Sequence, residues 1–321
     1  MSNQPNSDIC VPARFPTVEE ESAIVRKGER EFDRRFSELA AQIDAECNRA
    51  DMMFLALCGP TCSGKTTAAS RLISELDAAG RTVHLISLDD FYLNRQLLHE
   101  RAEKAGKPLD YDSVDTLDLD CLFSCVSELV ETGKTRIPVF DFHSGTRVRY
   151  RDLEADPVHK NVYIFEGIQA LYPAVSSILK EEGRIGKDNR EHRSLFISVR
   201  RGIQVGGQRF APDEIRLMRR LVRDFARRSA ETRFTLSLWS SVRENEIRSV
   251  LPYENTCDFA VDSTMPYDVH ILLPYLRPRL ASVPADCPEY ATATDLLSRL
   301  EGISPVSEAF LNANSLYREF L

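Results

Sequence analysis

The chain has 321 residues, 43% of them hydrophobic, and a formal net charge of −8. That length holds one large α/β domain with additions or two small ones. No apolar run nears the roughly 20 residues of a membrane span, and the acidic balance argues against a protein that coats nucleic acid, because such domains are strongly basic. The first fifteen residues, MSNQPNSDICVPARF, lack a signal-peptide core, which predicts a short disordered leader and a cytoplasmic location.

Residues 18–50 are charged but carry Ile24, Phe32, Phe36, Leu39 and Ile43 at helical spacing, which predicts one long amphipathic helix against the core. The apolar run Met53 to Cys58 then leads into Gly59-Pro60-Thr61-Cys62-Ser63-Gly64-Lys65-Thr66, followed by Thr67 and the helical pattern Ala68 to Ile73. This is a strand, a phosphate-binding loop and a helix beginning at about Lys65. Gly59 and Gly64 let the backbone curl so that N–H groups of the Thr61, Cys62, Ser63 and Thr67 region converge on phosphate oxygens, and the helix N-terminus adds its positive end. Lys65 neutralises the β and γ phosphates in such a loop and the Thr66 hydroxyl ligates Mg²⁺, so ATP and Mg²⁺ are the expected cofactors.

A second buried strand, Val83 to Leu88, ends at Asp89-Asp90-Phe91-Tyr92. Two carboxylates at the carboxyl end of a strand sit where open α/β sheets place their chemistry. The segment Asn94 to Asp112 reads as polar and mobile. Asp118 to Glu131 reads as a helix ended by Gly133, Ile137 to Phe142 as a strand, and His143 to Arg147 as a loop. The apolar strand Val162 to Phe165 runs into Glu166-Gly167; Leu195 to Val199 and Phe259 to Val261 are the last strands. Strands alternating with helices predict a doubly wound, mainly parallel α/β sheet. Before its last strand Arg216, Arg219, Arg220, Arg223, Arg227 and Arg228 recur at three and four residues. Beside a phosphate loop such a helical face suits a movable lid over about 209–240 that closes on a triphosphate. The eight cysteines include no Cys-x-x-Cys pair and read as reduced thiols, with Cys62 the oxidation-sensitive exception because loop N–H groups favour its thiolate. Trp239 and Tyr253 read as packing residues.

The motifs GPTCSGKTT, SLDDFY, YDSVDTLDL, FDFHSGTR, VYIFEGI and RLMRRLVRD, in this order, resemble the uridine kinase and phosphoribulokinase superfamily of P-loop kinases. LWSSVR, LPY and the final NSLYREF resemble a bacterial uridine-kinase-like subfamily whose members often carry an N-terminal TGS domain, here replaced by the leader and helix. The likeness covers about residues 51–321. It implies a P-loop NTPase-type fold with an Arg-rich helical lid, a kinase core over 51–281 and a C-terminal helical extension over 282–321 packed on it. It also implies Asp89 as catalytic base, with Lys65, Arg219 and Arg223 as catalytic cations and Arg220 and Arg228 as further lid contacts to ATP. Glu166 is implied near the metal or its water shell, Asp112 on ribose hydroxyls, and Tyr92, Phe140, Phe142, His143 and Arg147 along the acceptor pocket.

There are departures. Uridine kinases have a tyrosine and a histidine that read the pyrimidine edge where this chain has Phe140 and Gly145, and Ser113-Val114 replaces a His-Pro. His143 offers a substitute reader. A uridine or cytidine kinase is therefore the first expectation, a kinase of another hydroxyl acceptor (a sugar, a polyol or a pantothenate-like acid) the second, and a non-catalytic nucleotide sensor the third. A small-molecule substrate is the implied partner, without nucleic acid or membrane, and with homo-oligomerisation left open.

Overall fold

The structure, a computed structural model, describes residues 7–47, 51–106, 109–182 and 190–321. In chain order the strands and helices begin with β1 (Ile9–Val11), α1 (Val18–Cys47), β2 (Met52–Cys58), α2 (Lys65–Ala78), β3 (Thr82–Ser87), α3 (Arg95–Ala105) and α4 (Leu119–Thr132). Next come β4 (Lys134–Asp141), β5 (Thr146–Glu154), β6 (Asn161–Glu166), α5 (Pro173–Glu182), β7 (Arg190–Ser198), β8 (Ile203–Val205) and β9 (Gln208–Phe210). The chain ends with α6 (Pro212–Arg228), α7 (Thr232–Ser249), β10 (Phe259–Asp262), α8 (Asp268–Ala281) and α9 (Tyr290–Arg299).

The centre is a five-stranded sheet in the order β10-β7-β2-β6-β3, with every pairing parallel. Parallel strands are covered on both faces, so each needs apolar residues on both sides. In β2, Met53, Leu55 and Leu57 join the core layer that also contains Phe32, Phe36, Leu72 and Met218. The alternate residues Phe54, Ala56 and Cys58 join the layer with Leu122, Val126, Leu129 and Val175. Period-two alternation thus divides one apolar run between two helical layers. From β2 the chain goes to β3 on one side and later to β7 on the other, so the phosphate loop leaves the central strand at the switch point where α/β sheets bind ligands.

Helix boundaries follow local chemistry. The Asp118 side chain accepts from the Cys121 N–H to cap α4, and Gly133 at φ 74° ends that helix. Pro212 opens α6 and Glu214 accepts from the Ala211 N–H, a preorganised start for a helix.

The structure departs from the sequence expectations in four places. The expected leader lies partly outside the described residues (1–6), but Ile9–Val11 is a strand paired in parallel with β8, and Val11 is buried. Its three residues become ordered by a partner distant in sequence, which no local pattern reveals. The segment expected to be mobile contains α3, whose polar composition leaves only Leu98 buried. The strand β5, antiparallel to β4, was not anticipated from the sequence; its alternating Val148 and Tyr150 are exposed and face no core. Finally, α6 is no free lid: Ile215, Met218, Leu221 and Val222 are fully or almost fully buried. Residues 282–321 lie on the core, with Leu316, Tyr317 and Phe320 fully buried.

Candidate active site

The loop after β2 has the backbone that its glycines foretell. Cys62 and Gly64 both have left-handed φ, 55° and 93°, which turns successive N–H groups toward one concavity. A Cβ at Gly59 would lie 2.2 Å from the Ile197 carbonyl oxygen, so only glycine lets the loop pass this close to β7. The α2 helix begins at Lys65, whose ammonium donates to the Gly59 and Pro60 carbonyls at 3.0 and 3.2 Å. The Ser63 hydroxyl is buried without a partner, and the Thr66 side chain is exposed at the helix start. This cradle fits a polyphosphate.

Carboxylates close on the loop from the neighbouring strands. Glu166 is the last residue of β6, in register with Ser87 of β3 and Leu57 of β2. Burial, with Asp89 and Glu319 adding negative charge, pushes its carboxyl up to about 7 against the pull of Lys65. Asp89 stands in the 3-10 turn Leu88–Phe91 after β3. Burial raises its pKa first; Lys65 and Arg228 oppose this, while Asp112 and Asp90 reinforce it. Asp112 is likewise raised by burial and Asp110, and is lowered by Asn245, Arg220 and Lys65. Lys65, Asp89, Asp112 and Glu166 therefore form one electrostatic group. Hard oxygens beside an ammonium, one of them reluctant to ionise alone, suit Mg²⁺, with Thr66 and Glu166 the residues that would hold it. Asp90 does other work: it accepts from the Phe140 N–H at 3.1 Å and anchors the β4–β5 hairpin.

On the acceptor side Tyr92, Phe140 and Phe142 form an aromatic cluster, with ring centroids 5.7, 6.1 and 5.3 Å apart, and Phe142 is exposed. His143 is exposed at the hairpin tip, where its backbone N–H is held by Asp141. Arg147, expected on the substrate, instead pairs with Asp118 at 2.9 Å and donates to the Phe91 carbonyl at 3.1 Å, tying the hairpin to the start of α4. Gly145 has φ 71°, and a Cβ there would lie 2.7 Å from the Arg95 side chain. A histidine at 145 would thus strain this hairpin, through its left-handed backbone and its contact with the Arg95 side chain.

The arginines of α6 divide into two sets. Arg219, expected as a catalytic lid residue, is fully buried. It makes a two-bond pair with Asp268 and donates to the Ser263 and Cys62 carbonyls, so it supports the loop from behind. Arg216 is equally committed, to Glu246 through two bonds of 2.6 and 2.8 Å. Arg220, Arg223 and Arg228 instead gather around Asp224, and Arg220 and Arg228 act on Asp112 and Asp89. The Cys62 thiol packs in the core at 3% exposure, which removes it as an oxidation-prone thiol. Trp239 packs under the Arg216 guanidinium, 5.6 Å from its ring centroid.

Two residues near the loop were given no role by the sequence, Glu246 outside every motif and Glu319 within the final NSLYREF. Glu246 of α7 accepts from the Thr61 N–H at 3.1 Å while Arg216 donates to the Thr61 carbonyl at 3.2 Å, so one loop peptide is clamped through both its groups. Glu319 accepts from the Thr67 hydroxyl at 3.1 Å. Helical spacing alone gives no reason to single out Glu246; only the return of α7 over the loop does.

A central strand ending in a backbone nest and a helix N-terminus, flanked by acids from adjacent strands, defines a P-loop protein of the α/β class. Residues 54–180 match the model of the Phosphoribulokinase / Uridine kinase family. Uridine-cytidine kinase A of Dictyostelium discoideum is 27% identical over 221 residues, 68% of this chain and 37% of that protein. Uridine kinase of Saccharomyces cerevisiae is 28% identical over 206 residues, 64% of this chain and 36% of that protein. The chain thus spans little more than a third of the curated relatives it matches. Among solved structures, the phosphoribulokinase of Rhodobacter spheroides aligns at 14% identity and a TM-score of 0.42, covering 78% of this chain and 98% of that one. Among the described residues no helix is long and apolar enough to cross a membrane.

Proposed function

We propose that this chain is an ATP- and Mg²⁺-dependent kinase that transfers the γ-phosphoryl group to a hydroxyl of a nucleoside, with uridine or cytidine the favoured acceptor and the 5′-monophosphate the product. The observation that carries this reading is the convergence of Asp89, Asp112 and Glu166 on Lys65 at the switch point, in a chain whose family region is shared with uridine kinases. A pure nucleotide sensor has no need of an acid on the acceptor side.

In this mechanism the loop amides and Lys65 hold the polyphosphate, and Asp89 orients the acceptor hydroxyl and takes its proton. Positioning supplies most of the acceleration in phosphoryl transfer, so a carboxylate of modest basicity is adequate, and burial raises the basicity of Asp89 further. Mg²⁺, when bound, supplies neutralisation of charge on the β and γ phosphates. Arg220, Arg223 and Arg228 line the side from which Asp224 holds them ready. Arg219 is assigned to loop support.

A second reading, a kinase of a sugar, polyol or pantothenate-like acid, is favoured by one observation. Phe140 and Gly145 offer no polar side chain to a base edge, and the Arg95 guanidinium beside them is engaged by the His143 and Phe142 carbonyls. The deciding experiment measures ADP formed from Mg²⁺-ATP across uridine, cytidine, adenosine, ribulose 5-phosphate, inositols, pantothenate and simple sugars, with Lys65→Ala as blank. Turnover on a pyrimidine nucleoside establishes the first reading. Turnover on another acceptor alone keeps the mechanism and replaces the substrate.

A further inference from the structure

The last turns of α7 touch both sides of the site. Glu246, 1% exposed, accepts from the Thr61 N–H of the phosphate loop at 3.1 Å, and Arg216 and Arg243 hold its carboxylate. The residue before it, Asn245, is 6% exposed and serves a different loop. Its amide is hydrogen-bonded to Asp112, and its Oδ1 accepts from Arg248 at 2.8 Å. Arg248 also donates to Asp110 at 3.4 Å. The stretch 243–248 therefore grips the phosphate loop with one residue and the 110–112 turn with that residue's neighbours, although the two loops lie far apart in the sequence.

The 110–112 turn is itself fastened to the element that carries Asp89. The Asp112 N–H donates to Asp110 Oδ1 at 3.0 Å, which closes the turn. The Tyr111 carbonyl accepts from the Tyr92 hydroxyl at 2.9 Å, the Thr116 hydroxyl at 3.2 Å and the Gln169 amide at 3.3 Å. Tyr92 directly follows the 3-10 turn Leu88–Phe91, and its N–H donates to the Asp89 carbonyl at 3.4 Å. Contacts thus run without a break from the Thr61 peptide through Glu246 and the adjoining Asn245 to Asp112, Tyr111, Tyr92 and the backbone of Asp89. Its members are unequal. The side chains of Arg248 and Asp110 are 69% and 41% exposed, and exposed pairs of that kind contribute little. Asn245 is buried, and a buried polar group has no water to replace a lost partner, so the tie rests on Asn245.

We propose that Asn245 is a positioning residue that carries the state of the phosphate loop to the acceptor side, so that a nucleotide seated in the loop orders the 110–112 turn before an acceptor arrives. A polyphosphate in the loop fixes the Thr61 peptide, and Glu246 is fixed with it. The cost of ordering 243–248 then falls on the nucleotide and no longer on the acceptor. By linkage, whatever orders the 110–112 turn tightens the nucleotide by the same factor. The inference rests on the kinase reading for what fills the loop and adds to it how the two halves of the site are joined. Spacing gives α7 no such role: residues 243–248 read Arg-Glu-Asn-Glu-Ile-Arg, an ordinary charged helix end.

The test is hydrogen–deuterium exchange of the full chain, read by mass spectrometry, with and without Mg²⁺ and a non-hydrolysable ATP analogue. In the native chain the analogue should slow exchange over 59–67 and, by about fivefold or more, over 109–117 as well. Asn245→Ala should keep the first effect and lose the second. A merely structural role would raise exchange over 109–117 in that variant without altering its response to nucleotide. Protection confined to 59–67 in the native chain, which needs no variant to observe, or an unchanged response over 109–117 in Asn245→Ala, would overturn the proposal. Absence of any protection over 59–67 would remove the kinase reading instead, and the tie is then decided in the ligand-free chain. There Glu246→Gln should speed exchange over both 59–67 and 109–117 relative to α9, and a change confined to 59–67 would overturn the tie.

Discussion

Lys65 and Asp89 act on each other electrostatically, and their roles are separable. Lys65→Ala removes the charge that the loop presents to phosphate and should abolish nucleotide binding in calorimetry. Asp89→Asn keeps the shape and removes only the proton acceptor, so it should retain nucleotide binding and lose about a hundredfold or more in transfer rate. Full activity in Asp89→Asn would reassign the base. Glu166 carries a pH signature. Its folded-state pKa of about 7 lies above its ordinary value of 4.5, so the folded chain holds the proton more tightly than the unfolded one. The stability linked to it is complete below the ordinary value and is lost as pH rises through about 7. The nucleotide-free protein should therefore have a denaturation midpoint that falls across this window, and Glu166→Gln should flatten the slope. Mg²⁺, which pairs with the ionised form, should bind more tightly above that pH and should lose this dependence in the same variant. The Lys65, Asp89 and Glu166 positions were legible from the sequence because each ends or follows an apolar strand. Glu246 was not, because its role exists only relative to the loop peptide to which α7 brings it.

At the scale of elements, two structures decide the site. The hairpin β4–β5 brings Phe140 and Phe142 to Tyr92 and depends on Gly145 at its tip. Gly145→Ala should cost about 1–2 kcal/mol for the left-handed backbone, with more from the contact with Arg95, and a urea titration would show it; a swap to histidine at this position tests folding before it tests specificity. Helix α7 returns over the phosphate loop and delivers Glu246, which is saturated by Arg216, Arg243 and the Thr61 N–H. Breaking a buried ion pair from one side is strongly destabilising, so Glu246→Gln should lose about 3–5 kcal/mol in chemical denaturation and weaken nucleotide binding as Thr61 loosens. Unchanged stability and affinity would remove Glu246 from the clamp. The helical face of arginines on α6 was visible as a pattern, but the pattern could not divide it. Arg216 and Arg219 point to carboxylates contributed by α7 and α8, while Arg220, Arg223 and Arg228 share Asp224 on their own helix.

At the scale of the molecule, the segment 314–321 is part of the loop's support. Leu316 sits behind Gly64, so close that a Cβ there would lie 2.4 Å from its side chain. Glu319 holds Thr67, and Tyr317 donates to Asp268, the partner of Arg219. Removing residues 314–321 should lower the melting temperature and weaken nucleotide binding together, because it takes away the backing of the loop along with the buried Leu316, Tyr317 and Phe320; an unaltered affinity would show the loop to be self-supporting. The sequence by itself determined the parallel sheet, the phosphate loop, the start of α2 at Lys65 and the acids at two strand ends, since these depend on apolar runs, glycine positions and local spacing. Tertiary structure alone decided which arginines are locked behind the loop, what clamps Thr61 and why Gly145 favours glycine. Those properties are set by partners that lie tens to hundreds of residues away, and no local rule of spacing encodes such a partner.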